Sequence, residues 1–175
     1  HSRSSLAYAE ADDSPNLCRA MPSDDVHPSF GVHQMKKTAS AHWQGGIKDG
    51  KGTISTQSGA LRDNPYGFNT RFEDQPGTNP EELIGAAHAG CFSMALSKEL
   101  GEAGMAAESI DTQAEVTLDK ADGGFAITAV HLTLKARIPG ADRAAFEKAV
   151  ETAKNGCPVS KVLNASITLE ATLDA

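Results

Sequence analysis

The stretch "IDTQAEVTLDKADGGFAITAVHLTLKARI", residues 110–138, decides the fold class. Apolar and polar side chains alternate along both halves, which is the pattern of strands with one buried face. The turn signal "KADGG" separates the halves, so the pattern predicts two long antiparallel strands joined by a tight turn. The inward-facing side chains are predicted to be Ile110, Thr112, Ala114, Val116 and Leu118 on one strand, and Val130, Leu132, Leu134, Ala136 and Ile138 on the other.

A helix is predicted upstream of this hairpin to cover its apolar face. It starts at "TNPEEL", where Asn79 is suited to the N-cap, Pro80 to the first helical position and Glu82 to a capping box. Apolar residues then recur at helical spacing, at Leu83, Ala87 and Cys91. Because small residues flank this stripe, we expect the helix to be covered on most of its sides.

The remaining segments complete the order of elements. Residues 38–56 predict a β-hairpin, and residues 61–80 a long, partly structured loop of the kind that often carries function. A second helix follows "PGAD" and ends at Gly156, "CPVSKVL" starts a short helix, and alternation over 167–173 predicts a last strand. This order predicts an α+β fold with antiparallel sheets and helices against one face.

Residues 1–34 differ from the rest of the chain. They contain three prolines and polar clusters without an apolar period, and "MKKTASAHW" then begins at Met35 like a natural start. They lack the basic and apolar regions of a signal peptide. We therefore expect 1–34 to be a poorly ordered leader or engineered extension in which Cys18 has no function, and 35–175 to be a single domain.

Composition excludes several classes of function. The net charge of −7 comes from 16 basic and 23 acidic residues without a basic block, which argues against nucleic acid as a partner. No apolar run approaches the roughly 18 residues of a membrane span. Three widely spaced cysteines do not make a disulfide framework or a CxxC-type zinc site, so a reducing, cytoplasmic setting fits best. Small neutral or apolar partners remain open.

The two cysteines of the domain have opposite local settings. Cys91 lies about three turns inside its helix, beyond the influence of the helix N-terminus, so an apolar site would raise its pKa and leave it inert. By itself it is explained as a small core residue, and reactivity requires a cation from elsewhere. Cys157 lies at the N-cap of the short helix with Pro158 after it, where amide groups lower a thiol pKa. Only the tertiary fold could bring the two together.

Three other residues were weighed as site candidates. His88 shares a helical face with Cys91, but two cysteines and one histidine leave a zinc site one ligand short, so a packed or hydrogen-bonded histidine is expected and no metal. Arg71 lies among aromatic residues in the loop, where a solvated surface arginine is the simplest interpretation. Glu81 is explained by the preference for acidic residues at a helix start.

Several blocks together resemble one family over residues 36–175. "NPYGFNTRFE", "GTNPEELIGAAHAGCFSMAL", "SIDTQAEVTLDK" and "NGCPVS" are similar, in this order, to the OsmC/Ohr family. The resemblance implies a thiol-dependent peroxidase, without cofactor, that reduces organic hydroperoxides and, less efficiently, hydrogen peroxide in oxidative or osmotic stress. It also implies an OsmC-like fold, with an antiparallel sheet wrapped around two long central helices in an intertwined homodimer, and regeneration by a dithiol reductant such as a dihydrolipoyl protein.

The resemblance assigns roles to four residues. It implies that Cys91 is the peroxidatic cysteine, Cys157 the resolving cysteine, Arg71 the group that activates the thiolate, and Glu81 the carboxylate that orients Arg71. These roles make chemical sense, because a guanidinium keeps a thiolate ionised and stabilises the departing alkoxide. Apolar side chains are expected to favour alkyl peroxides, with candidates at Phe68, Phe72 and Phe92.

Two other interpretations stay open. A non-enzymatic thiol redox sensor or stress-binding protein would form the Cys91–Cys157 disulfide once and stop, whereas an enzyme would turn over. A purely structural pair of buried cysteines would not react with peroxide at all.

Overall fold

The hairpin predicted from residues 110–138 is the largest strand pair of the structure, a computed structural model that describes residues 34–175. The elements in chain order are β1 (Ala39–Gln44), β2 (Lys51–Thr56), β3 (Asn64–Tyr66), α1 (Phe68–Phe72), α2 (Pro80–Glu102), β4 (Ser109–Ala121), β5 (Gly124–Arg137), α3 (Arg143–Gly156), α4 (Pro158–Val162) and β6 (Ser166–Asp174). They form an α+β fold with two three-stranded sheets, in the orders β1-β2-β3 and β4-β5-β6.

The alternation predicted for β4 and β5 is confirmed. The strands pair in antiparallel register down to Ala121 opposite Gly124, and Gly123 in the turn has a φ of 92°, a conformation that favours glycine. A bulge between Thr117 and Leu118 interrupts the register once. The inward side chains of β5 are buried, at Val130, Leu132, Leu134 and Ala136.

The last strand corrects the expectation of purely antiparallel sheets. β6 pairs with β5 in parallel register, with Ala129 opposite Ser166 and Arg137 opposite Asp174. The chain leaves β5, passes through α3 and α4 and re-enters the sheet in the original direction, which is the crossover that a parallel pair requires. The second sheet is therefore mixed.

The long helix α2 begins as predicted but buries a different face. Asn79 is the N-cap, and its side chain accepts a 2.8 Å hydrogen bond from the Glu82 amide. The reciprocal bond of a capping box, from the Glu82 side chain, is not among the hydrogen bonds of residues 34–175. The predicted stripe through Leu83, Ala87 and Cys91 is wrong at Ala87, which is exposed. The buried residues of α2 are Gly85, His88, Phe92, Leu96 and Leu100.

The small N-terminal sheet carries the segment that leads into α2. β1 and β2 form the expected hairpin, and the predicted loop contains both β3 and the short helix α1. Tyr66 lies against Trp43, with ring centroids 5.4 Å apart. A side chain at Gly52 would put its Cβ 2.3 Å from the Tyr66 ring, so this packing requires glycine there.

The core lies between the second sheet and the helices α2 and α3. From α3 it includes Phe146, Ala149, Val150 and Ala153, as the helical spacing predicts. Within residues 34–175 no helix is long and apolar enough to span a membrane. The predicted leader and Cys18 lie outside the described residues, except for Gln34 at its end.

Candidate active site

The fold brings Cys91 and Cys157 together. Cys91 is in the middle of α2 and Cys157 is the N-cap of α4, 66 residues later, yet their thiols are close enough to shift each other's pKa. Both are free thiols. Cys157 has no exposed surface, whereas Cys91 is half-buried at the edge of the core. A molecule arriving from solvent therefore meets Cys91 first.

The environment of Cys157 favours its ionised form. Burial raises the pKa of its thiol, but the neighbouring Ser160 amide, Cys91 thiol, Ser160 hydroxyl and Val159 amide together bring that pKa below its ordinary value. This direction agrees with the expectation that Cys157 is the more acidic of the two thiols. The amides at the start of α4 contribute to it, although the thiol makes no capping hydrogen bond.

Cys91 has the opposite electrostatics. Burial, the hydrogen bond with Cys157 and the charge of Cys157 raise the pKa of Cys91, and a hydrogen bond from the Val159 amide only partly offsets this. The chain by itself thus keeps Cys91 protonated. A reactive Cys91 needs a positive charge that these neighbours do not supply.

Arg71 and Glu81 form a tight ion pair. Arg71 follows β3 in α1, and Glu81 is in the first turn of α2. The Arg71 Nε atom lies 3.0 and 3.2 Å from the two carboxylate oxygens of Glu81, and one terminal nitrogen lies 2.5 Å from Oε1. This forked contact fixes the plane of the guanidinium. Glu81 is largely buried, with 14% of its side chain exposed.

The ion pair and Cys91 are at different levels of α2. Ten residues separate Glu81 from Cys91, which places about 15 Å of helix between them. Because Arg71 is bound to Glu81, its guanidinium is also far from the Cys91 of its own chain. The structure thus places two features along one helix, the neighbouring thiols and the Arg71–Glu81 ion pair.

Three aromatic side chains form a cluster beside the cation. The rings of Phe68 and Phe72 of α1 are tilted against each other with centroids 4.8 Å apart, and the exposed Phe125 of the β4–β5 hairpin lies 5.9 Å from Phe72. The Arg71 guanidinium lies 5.3 Å from the centre of the Phe72 ring. Phe92, which the sequence analysis grouped with them, is fully buried in the core, so Phe125 is the third member of this cluster.

His88 and Ser160 form a second polar contact beside the thiols. His88 is fully buried, and its Nε2 atom lies 2.8 Å from the Ser160 hydroxyl. The expectation of a hydrogen-bonded histidine is confirmed. Sequence analysis did not single out Ser160; its position at N3 of α4, in the motif "CPVS", was the signal available. No group of three or more potential metal ligands occurs within the described part of the chain.

Comparisons with known proteins agree on one family. A family model described as "OsmC-like protein" matches residues 72–172. The chain is 62% identical over 134 residues to peroxiredoxin OsmC of Escherichia coli strain K12, covering 77% of this chain and 94% of that protein.

Solved structures give the same fold. The organic hydroperoxide resistance protein OhrB of Bacillus subtilis superposes with a TM-score of 0.58 at 31% identity, over 77% of this chain and 98% of that one. A protein of Legionella pneumophila, described as an organic hydroperoxide resistance protein OsmC, gives a TM-score of 0.61 at 24% identity, over 82% of this chain and 99% of that one.

Proposed function

The chain belongs to the OsmC family, and from this premise we propose that it is a thiol peroxidase that reduces organic hydroperoxides by means of Cys91 and Cys157. The observation that carries the proposal is the contact between these two thiols, which come from distant parts of the sequence. The names of its relatives, peroxiredoxin and organic hydroperoxide resistance protein, support peroxide as the substrate.

We assign the peroxidatic role to Cys91 because a peroxide can reach it. The Cys91 thiolate attacks one oxygen of the peroxide, the O–O bond breaks, and the alcohol leaves after taking up a proton. Cys91 becomes a sulfenic acid. The Cys157 thiolate then attacks the oxidised sulfur, and the disulfide forms with loss of water. A dithiol reductant, for which a dihydrolipoyl protein is one candidate, returns both cysteines to thiols by exchange.

The missing cation is supplied, in this proposal, by a second copy of the chain. Ala86 lies five residues from Glu81 and five from Cys91, and the neighbouring α2 surface at Ala86, Ala87 and Gly90 is exposed and made of small residues. Two α2 helices packed antiparallel across a two-fold axis at Ala86 would bring each Glu81 level with the Cys91 of the other chain. Met94, 77% exposed on the same helix, would be covered by such a homodimer.

A site composed of two chains would supply the positive charge that Cys91 lacks in a single chain, where its pKa is raised. The Arg71 guanidinium of the other chain would lower that pKa and stabilise the alkoxide as the O–O bond breaks. The cluster of Phe68, Phe72 and Phe125 would then face the thiol and provide an apolar surface for an alkyl group. This arrangement favours organic hydroperoxides over hydrogen peroxide.

Steady-state turnover tests the proposal. The wild-type chain should consume cumene or tert-butyl hydroperoxide continuously with an excess of a dithiol, and hydrogen peroxide more slowly. Cys91→Ser should abolish consumption, while the matched Cys18→Ser variant should keep it. A wild-type protein that consumes one equivalent and stops would instead support a redox sensor, and undiminished turnover by Cys91→Ser would exclude the mechanism.

A further inference from the structure

The buried His88 has no part in the chemistry described so far. It lies on α2 one turn before Cys91, with no exposed surface, and the only hydrogen bond of its ring within residues 34–175 joins Nε2 to the Ser160 hydroxyl at 2.8 Å. Its other ring nitrogen, Nδ1, is buried without a partner among those residues. Burial lowers the pKa of His88, so the ring is neutral and carries a single N–H.

The unpaired Nδ1 atom indicates where that hydrogen is. If Nδ1 carried it, a buried N–H donor would be left without an acceptor, which folded proteins rarely tolerate. If Nε2 carries it, only a lone pair remains unpaired. The second arrangement is favoured, and in it Nε2–H donates to the oxygen of Ser160.

The direction of this bond leaves the Ser160 hydrogen free for another acceptor. The Ser160 hydroxyl also acts on the nearby Cys157 thiol, where it favours the ionised sulfur. A hydrogen bond from Ser160 to that thiolate would continue the direction of the first bond, from His88 to Ser160 to Cys157. Hydrogen bonds aligned in this manner polarise one another in a buried setting.

We propose that His88 is a positioning residue that acts through Ser160 to hold Cys157 as a thiolate aimed at Cys91. The proposal rests on the function proposed above and adds two residues to its second step. In that step the Cys157 sulfur forms a bond to the Cys91 sulfur, the S–O bond of the sulfenic acid breaks, and the hydroxide released takes up a proton to become water. Cys157 is oxidised and the Cys91 sulfur is reduced.

The test measures the titration of Cys157 directly. In a chain carrying Cys18→Ser and Cys91→Ser, Cys157 is the sole thiol, and its ionisation is followed by ultraviolet thiolate absorbance as the pH rises. Two charged side chains, Lys154 and Lys161, line a groove together with Ser160. Both lysines are unchanged in every variant compared.

Ser160→Ala should raise the titration midpoint of Cys157 by about one pH unit, since it removes a hydrogen bond to a charged group. His88→Phe should raise it by less, and His88→Gln, which keeps an N–H donor, should restore most of the effect. Adding His88→Phe to Ser160→Ala should change nothing further, because His88 acts only through the hydroxyl. If the phenyl variant does not fold, His88→Leu makes the same comparison.

Two results would overturn the proposal. One is an unchanged midpoint in Ser160→Ala, and the other is a His88 effect of equal size with and without the Ser160 hydroxyl, as a general packing change would give. The titration uses no peroxide. A negative titration result would therefore contradict only the role of His88. Failure of the peroxidase function would appear separately, as absent turnover in the wild-type chain.

Discussion

Arg71 is held by three hydrogen bonds to Glu81, so its charge is fixed in space before any substrate arrives. Such a pre-oriented cation costs no reorganisation when negative charge develops on the departing oxygen. Sequence analysis could identify both residues only through the family resemblance. The distance of Glu81 from the Cys91 of the same chain follows from the ten helical residues between them, whereas the position of Arg71 depends on how α1 docks on the first turn of α2.

Replacing Arg71 tests whether its positive charge lowers the pKa of the Cys91 thiol. Arg71→Ala should raise the pH at which Cys91 is alkylated by about one unit or more, and should slow peroxide consumption at neutral pH at least about tenfold. The reason is the loss of the cation that favours the thiolate. The measurement is the pH profile of iodoacetamide labelling, with exposed Arg62→Ala as the control. An unchanged profile would remove Arg71 from the site.

The first turn of α2 contains both the residue that caps the helix and the carboxylate that binds Arg71. Asn79 caps the turn that presents Glu81, and Asp142 caps α3 by an equivalent 2.8 Å bond to the Ala145 amide. The two caps are thus matched in geometry but differ in distance from the ion pair. They allow a general loss of stability to be separated from a local loss of alignment.

Asn79→Ala and Asp142→Ala should each lower the free energy of unfolding by about 1 kcal/mol, as loss of an N-cap usually does. Only Asn79→Ala should also reduce peroxidase activity under conditions where both variants are folded, because Glu81 would no longer be held in register with Arg71. Urea unfolding and steady-state assays provide the measurements. Equal loss of activity in both would show that the cap matters only for stability.

Helices and strands could be predicted from the sequence where a single local pattern determines them. Alternation predicted which faces of β4 and β5 are buried, and the capping residue Asn79 located the start of α2. The parallel pairing of β6 was missed, since the same alternation fits either direction and only the path through α3 and α4 decides it. The buried face of α2 was also misassigned at Ala87, because apolar residues occur around most of that helix.

In the proposed function, the two halves of a working site lie along one helix. Cys91 neighbours Cys157 at the middle of α2, while Arg71 is paired with Glu81 at its start. Within one chain they are too far apart to act together. Our account therefore requires two chains for one working site, and this can be tested without a structure of the dimer.

Mixing inactive variants provides that test. Arg71→Ala and Cys91→Ser homodimers should each have little activity. After unfolding and refolding in equal amounts, each mixed dimer should have about half of the wild-type activity, because one of its two sites combines an intact Cys91 with an intact Arg71 from the other chain. Since about half of the dimers are mixed, the whole sample should regain about a quarter. Co-refolding Arg71→Ala with Glu81→Gln should restore nothing, since both defects fall in the same half-site. No recovery with the first pair would contradict a composite site.

The central claim is that peroxide converts Cys91 and Cys157 from free thiols into a disulfide. It is tested most directly by adding one equivalent of cumene hydroperoxide to the reduced chain and identifying the product by peptide mass spectrometry. The account predicts one cross-linked peptide pair that joins Cys91 to Cys157, with the loss of two hydrogens. Recovery of both thiols unchanged, or of Cys91 oxidised further without a bond to Cys157, would contradict it.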